Sequence, residues 1–203
     1  FQLMLPKVGI AWMFALLTIN YNRVTIFDLG ITALLVTLLL GIYPLFAPIQ
    51  PLIGRWIDQR PLFGYRRSPY LFLGMLGSGL LFPLLPWIAI ELHNRNPLAL
   101  LLGIIVMAVF GIGIALIANT YLYLVAETTD EHSRGVVFAV AWTAQTAAIL
   151  LWAYVFQQRM PVYSPELMQA LYNLTPLVCL VTTVIGLWGL EKGLNPDQVR
   201  MLR

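Results

Sequence analysis

Gly54-Arg55-Trp56-Ile57-Asp58-Gln59-Arg60-Pro61-Leu62-Phe63-Gly64-Tyr65-Arg66-Arg67-Ser68-Pro69 is a charged, glycine-marked turn wedged between two long apolar runs. Apolar runs of about 20 residues cross a hydrocarbon layer as helix, because the backbone must satisfy its own hydrogen bonds there. The segment therefore reads as a connection between two spans at one membrane face. Four of the chain's 12 basic residues, Arg55, Arg60, Arg66 and Arg67, fall inside it. Basic residues near span ends are retained on the cytoplasmic side, so the turn orients everything else.

The composition agrees. Of 203 residues, 60% are hydrophobic and 10% charged, and the mean hydropathy is +0.80, more apolar surface than one soluble core of this size could hide. The net charge of +3 does not point to nucleic acid, since the basic residues sit in short loops between apolar runs rather than on a polar face. Cys179 is the single cysteine, which excludes an internal disulfide and a cysteine-rich metal site. Phe1 in place of methionine reads as a trimmed start.

Six spans are expected, over residues 5–21, 29–53, 68–90, 98–125, 135–156 and 171–190. An even number returns the chain to its starting side. Lys7, the four turn arginines, Arg134, Lys192, Arg200 and Arg203 then share one face, against Arg23, Arg95 and Arg159 on the other. Both termini are thus expected in the cytoplasm. Ser164-Pro165-Glu166 carries an N-cap, a first-turn proline and an acid at the positive helix end, and predicts a short outer helix leading into the sixth span. Asn195-Pro196-Asp197-Gln198 predicts the start of a cytoplasmic helix over 195–203. Ser133 is the expected cap of the fifth helix.

Within the turn, Gly54 allows close helix approach, Asp58 lies one helical turn later, and Arg60, Arg66 and Arg67 offer counter-charges. A charge-locked hinge and a set of solvated topogenic arginines both fit that pattern. Gly54, Asp58, Gly64, Arg66 and Arg67 resemble the major facilitator superfamily signature between its second and third helices: glycine, three residues, aspartate, then glycine and paired basic residues. The stretch from Asp58 to Gly64 is longer than in that signature and holds Pro61, Leu62 and Phe63. Together with Leu5-Pro6-Lys7-Val8-Gly9, Asn22-Arg23, Asp28-Leu29-Gly30, residues 63–70 and Glu127 to Gly135, it is similar to the bacteriochlorophyll-delivery branch, the PucC-like proteins that assist light-harvesting complex assembly.

The resemblance implies an all-α polytopic bundle, one domain over 1–203 equivalent to the N-terminal half of a major facilitator protein, built as a 3+3 repeat with the signature turn at 54–69. It implies that Asp58 helps hold two six-helix halves together, so that a second half or a second copy of the chain is an expected partner. It also implies that Glu127, Arg134 and Gly135 join a charge network around Asp58 and Arg66. The expected role is non-catalytic: handling or delivering (bacterio)chlorophyll and assembling light-harvesting or reaction-centre complexes in a photosynthetic membrane, whether intracytoplasmic, plasma or thylakoid. A secondary transporter for a small lipophilic solute and a permanent structural subunit of a photosynthetic complex are the alternatives.

No charged residue is expected well inside a span, where it would cost about 2.5 to 3.5 kcal/mol, which disfavours proton-coupled transport of a polar solute. The interior polar residues are neutral. Asn119 and Gln145 are candidates to offer an oxygen to the magnesium of a chlorin, and His93 and His132, both expected in loops, are candidates at the membrane edge. No phosphate loop, zinc-protease helix or cysteine-histidine pair suggests catalysis, and neither an enzyme nor a protein-held metal is expected.

Overall fold

The computed structural model describes residues 2–191. The helix start expected at 195–203, with Lys192, Arg200 and Arg203, lies outside the described residues. Six helices are long and apolar enough to cross a membrane: α1 (Gln2–Asp28), α2 (Ala33–Asp58), α3 (Ser68–His93), α4 (Pro97–Thr128), α5 (Glu131–Arg159) and α6 (Pro165–Leu187). Among the described residues the only extended pairing is an isolated bridge between Leu62 and Tyr65.

Several rods run past their expected ends for identifiable reasons. Asn22-Arg23 does not terminate α1, because Arg23 donates to the Met160 carbonyl at 3.0 Å and lies 3.9 Å from Asp28. The helix continues in widened turns to Asp28, and Gly30 at φ +65° breaks it. At the start of α5 the extended residue is Asp130, so Ser133 is not the cap. Its hydroxyl sits inside the first turn and donates to the Asp130 carbonyl at 3.3 Å. His132 consequently lies on the helix rather than in a loop, and His93 is the last residue of α3. The short helix foreseen after Ser164 forms over Pro165–Asn173, with the Ser164 hydroxyl accepting from the Leu167 N–H at 3.4 Å, and it runs directly into Thr175–Leu187.

Packing is unequal around the bundle. Helix α1 packs on α5 and α6, α4 packs on α2 and α3, and α3 packs on α6. Helices α1 and α3 are the most enclosed, whereas α2 and α5 leave most of their surface open. Prolines 44, 48 and 51 interrupt the α2 hydrogen-bond ladder, and residues Tyr43–Ile49 wind tightly as 3₁₀ helix. That stretch lies on α4 at Gly111, where an added Cβ would stand 2.6 Å from the Tyr43 carbonyl oxygen and 3.0 Å from its Cα. In α3, a Cβ at the exposed Gly77 would meet nothing within 4 Å.

These two glycines make a matched pair. Gly111→Ala forces backbone against backbone and is expected to destabilise the bundle by about 1–3 kcal/mol. Gly77→Ala is expected to be neutral or to stabilise by up to about 1 kcal/mol through helix propensity. Thermal unfolding of both variants in detergent checks the contrast, and equal melting temperatures would contradict the α2–α4 contact.

Candidate functional site

The turn after α2 closes through a tight two-residue reversal. Leu62 and Tyr65 exchange both backbone hydrogen bonds, at 3.0 and 2.8 Å. Between them, Phe63 and Gly64 take positive φ angles of 53° and 77°, as a reversal of this type requires at both central positions. The longer stretch between Asp58 and Gly64 is thereby folded back on itself, and the paired arginines return beside the end of α2.

There Arg67 is the hub. Its side chain is 2% exposed, with Nη2 2.5 Å from Asp58 Oδ1 and Nε donating to Glu127 Oε1 at 3.2 Å. The guanidinium also stands 4.5 Å from the centre of the Tyr123 ring. Arg66 supports both acids from outside, with Nη2 3.3 Å from Asp58 Oδ1 and Nη1 3.9 Å from Glu127 Oε1. The end of α2, the start of α3 and the end of α4 are thus joined by two guanidiniums and two carboxylates. The planar, always-charged fork of arginine suits such bridging better than the point charge of lysine.

A third acid completes this end. Glu191, just beyond α6, accepts the backbone N–H groups of Arg66 at 2.7 Å, Arg67 at 2.9 Å and Ser68 at 2.6 Å. They are the N–H groups of the first residue of α3 and of the two residues leading into it, where a negative charge also meets the positive helix end. Sequence reasoning missed Glu191. The one available signal was a lone acid directly after the sixth apolar run.

Other expected members of the network stand apart from it. Arg134 donates to the Ala126 carbonyl at 2.9 Å and so satisfies the end of α4. Arg60 lies over the Trp56 ring, its carbonyl accepting from the Tyr70 hydroxyl. Gly135 lies in α5 with open space where a Cβ would be, and Gly64 serves the reversal. At Gly54 a Cβ would meet the Asn119 amide at 2.9 Å, and the Asn119 Nδ2 donates to the Gln50 carbonyl at 2.9 Å.

Comparison with known proteins places this architecture. The model of the PUCC protein family matches residues 20–201. The chain belongs to that family. Among curated relatives it is 22% identical to Protein PucC of Rhodobacter capsulatus over 99% of this chain and 45% of that protein. It is 25% identical to the Bacteriochlorophyll synthase 44.5 kDa chain of the same species over 96% of this chain and 45% of the relative. Protein PucC of Rhodovulum sulfidophilum is 24% identical over 94% of this chain and 44% of its own length. The chain thus spans less than half the length of the PucC relatives it matches. No solved structure shows a significant match.

In this PucC-family chain the four candidate pigment ligands fall in different places. Asn119 and Gln145 are buried, and their side-chain oxygens have no partner among the described residues. His132 is exposed on the first turn of α5. His93 is exposed at the end of α3, its Nδ1 2.7 Å from the Leu29 carbonyl. A carbonyl can only accept, so Nδ1 carries the proton, and in the neutral ring Nε2 keeps a lone pair available to a ligand. Among the described residues no cluster of three metal-ligating side chains exists.

Two predictions follow from the charged end. Arg67→Met leaves Asp58 and Glu127 without their shared enclosed cation. It is expected to cost about 1–3 kcal/mol, below the roughly 3–5 kcal/mol of a fully buried pair because both acids are about a third exposed. Arg67→Lys should recover less than half of that loss. Glu191→Ala removes three charge-assisted hydrogen bonds and is expected to cost about 1.5–3 kcal/mol, with faster amide exchange at residues 66–68. Denaturation in mixed micelles and hydrogen exchange read both.

Proposed function

We propose that this chain is a non-catalytic membrane protein that assists the handling or delivery of (bacterio)chlorophyll and the assembly of light-harvesting or reaction-centre complexes. The observation that carries the reading is the family match over most of the chain, and the name of one relative refers to bacteriochlorophyll synthesis. The surface suits an apolar cargo. A groove of about 640 Å³ between α1, α5 and α6 is lined by Trp12, Trp152, Val155, Leu171 and Val178, with Arg159 its one charged residue. Another of about 520 Å³ between α2 and α4 is lined almost wholly by leucine and isoleucine. Of the four candidate ligands, His93 is the exposed one whose Nδ1 is turned to a backbone carbonyl, leaving the Nε2 lone pair to donate to a chlorin magnesium.

The finer architecture belongs to the same proposal. Exchanging α1 with α4, α2 with α5 and α3 with α6 maps the main helix contacts onto themselves, since α1 on α5 becomes α4 on α2 and α1 on α6 becomes α4 on α3. That pattern supports a major-facilitator-type 3+3 repeat. The open faces of α2 and α5 would then be covered by a second six-helix unit, from the same polypeptide or a second copy. The charged end would face the cytoplasm of a photosynthetic membrane.

The complete protein, purified in mild detergent from a photosynthetic host, is expected to retain chlorin absorption and to co-purify with light-harvesting or reaction-centre subunits. Loss of both signals would overturn the reading. His93→Leu is expected to weaken binding of a magnesium chlorin about tenfold while leaving its magnesium-free counterpart unaffected.

A further inference from the structure

Lys7, expected as an orienting charge near the start of the first span, is enclosed by the bundle. It lies roughly 7 Å into α1 at 1.5 Å per residue, is only 6% exposed, and meets no carboxylate among the described residues. Its ammonium stands 3.8 Å from the centre of the Trp142 ring and 4.5 Å from that of Tyr121. Tyr121 is sealed in the core, whereas Trp142 is 53% exposed. The cation therefore sits beside a half-exposed indole on α5.

Ring faces attract a cation but do not neutralise it. An ionised side chain held inside a membrane span is costly and normally finds a specific partner. We infer that Lys7, beside Trp142, anchors the ionised carboxylate of a planar amphiphile whose ring lies along Trp142. Resting on the pigment-handling reading, the ligand class is a tetrapyrrole bearing an unesterified propionate, the pigment before its long-chain ester is attached rather than a finished (bacterio)chlorophyll. Lys7 supplies a charge-assisted hydrogen bond to the carboxylate, and Trp142 a stacking surface. No contact with a chlorin magnesium is involved, so this site is separate from any ligation by His93.

Pyropheophorbide a, a magnesium-free chlorin with one propionate, and its methyl ester test the inference. Binding of each to the complete protein in phosphatidylcholine nanodiscs is read by chlorin fluorescence anisotropy against empty discs. The acid is expected to bind about tenfold more tightly than the ester. Lys7→Met should erase that preference while leaving ester affinity unchanged, which also shows that the variant is folded, and Lys7→Arg should keep most of it. Equal binding of acid and ester, or a preference that survives Lys7→Met, overturns the inference while the pigment reading stands. A preference lost when phosphatidylglycerol is added assigns the ammonium to a lipid phosphate instead and also overturns it. If neither chlorin binds, the pigment reading falls, and this inference with it.

Discussion

One guanidinium ties the bundle together at its charged end. The reversal at Phe63-Gly64 brings Arg67 back beside the ends of α2 and α4. There it is almost wholly enclosed by Asp58, Glu127 and Tyr123. Such a cation is tolerable only while both acids stay in place, because an enclosed charge deprived of its partner costs far more than an exposed pair returns. The relative position of three helix ends is therefore specified by one side chain. Glu191 extends the same constraint to α6, since its carboxylate holds the N–H groups leading into α3, including that of Arg67 itself.

This arrangement places polarity at the rim and leaves the rods to pack through shape. Between helices in a bilayer, lipid is as apolar as leucine, so close contact of small residues replaces hydrophobic burial as the source of association. The α2–α4 and α3–α4 contacts follow that rule. Gly111 lies against the Tyr43 backbone, and Gly74 admits the Ile117 side chain, which a Cβ there would approach to 2.8 Å. Irregular backbone serves the same end. The proline-tightened middle of α2 and the widened turns of α1 would be weak points in water, and here neighbouring helices cover part of them.

The rods themselves were legible in the sequence, because a hydrocarbon-compatible run of this length has few other ways to satisfy its backbone. Their ends were less so. Arg23 looked like a boundary and proved to be a helical residue whose charge is met by Met160, a residue far along the chain. Ser133 looked like a cap and was displaced by the extended Asp130 three residues earlier. In both cases the decisive partner or backbone angle is set by the fold rather than by neighbouring residues. The pairing of Asp58 with Arg66 and Arg67 could be read from spacing, since all three lie within one turn. Glu127 required the resemblance, and Glu191 required coordinates, because the contact joins positions more than 120 residues apart.

Lys7 escaped reading for the opposite reason: near the end of a span it looks like an ordinary orienting charge. Its isolation follows from how the nearby acids are used. At the charged end Asp58 and Glu127 are held by Arg66 and Arg67, and Glu191 is committed to the α3 amides. Asp130 and Glu131 are exposed where α5 begins, while Trp142 lies roughly 16 Å along that helix from Glu131 at 1.5 Å per residue. Among the described residues the nearby carboxylates are spent on joining helices, and the Lys7 ammonium faces aromatic rings. A bundle selected only for stability would gain by replacing such a lysine with methionine or leucine, since an apolar side chain of similar volume avoids the cost of desolvating the charge. Among the described residues the charge is kept without a counter-ion, the arrangement expected of a site whose anion is a bound ligand.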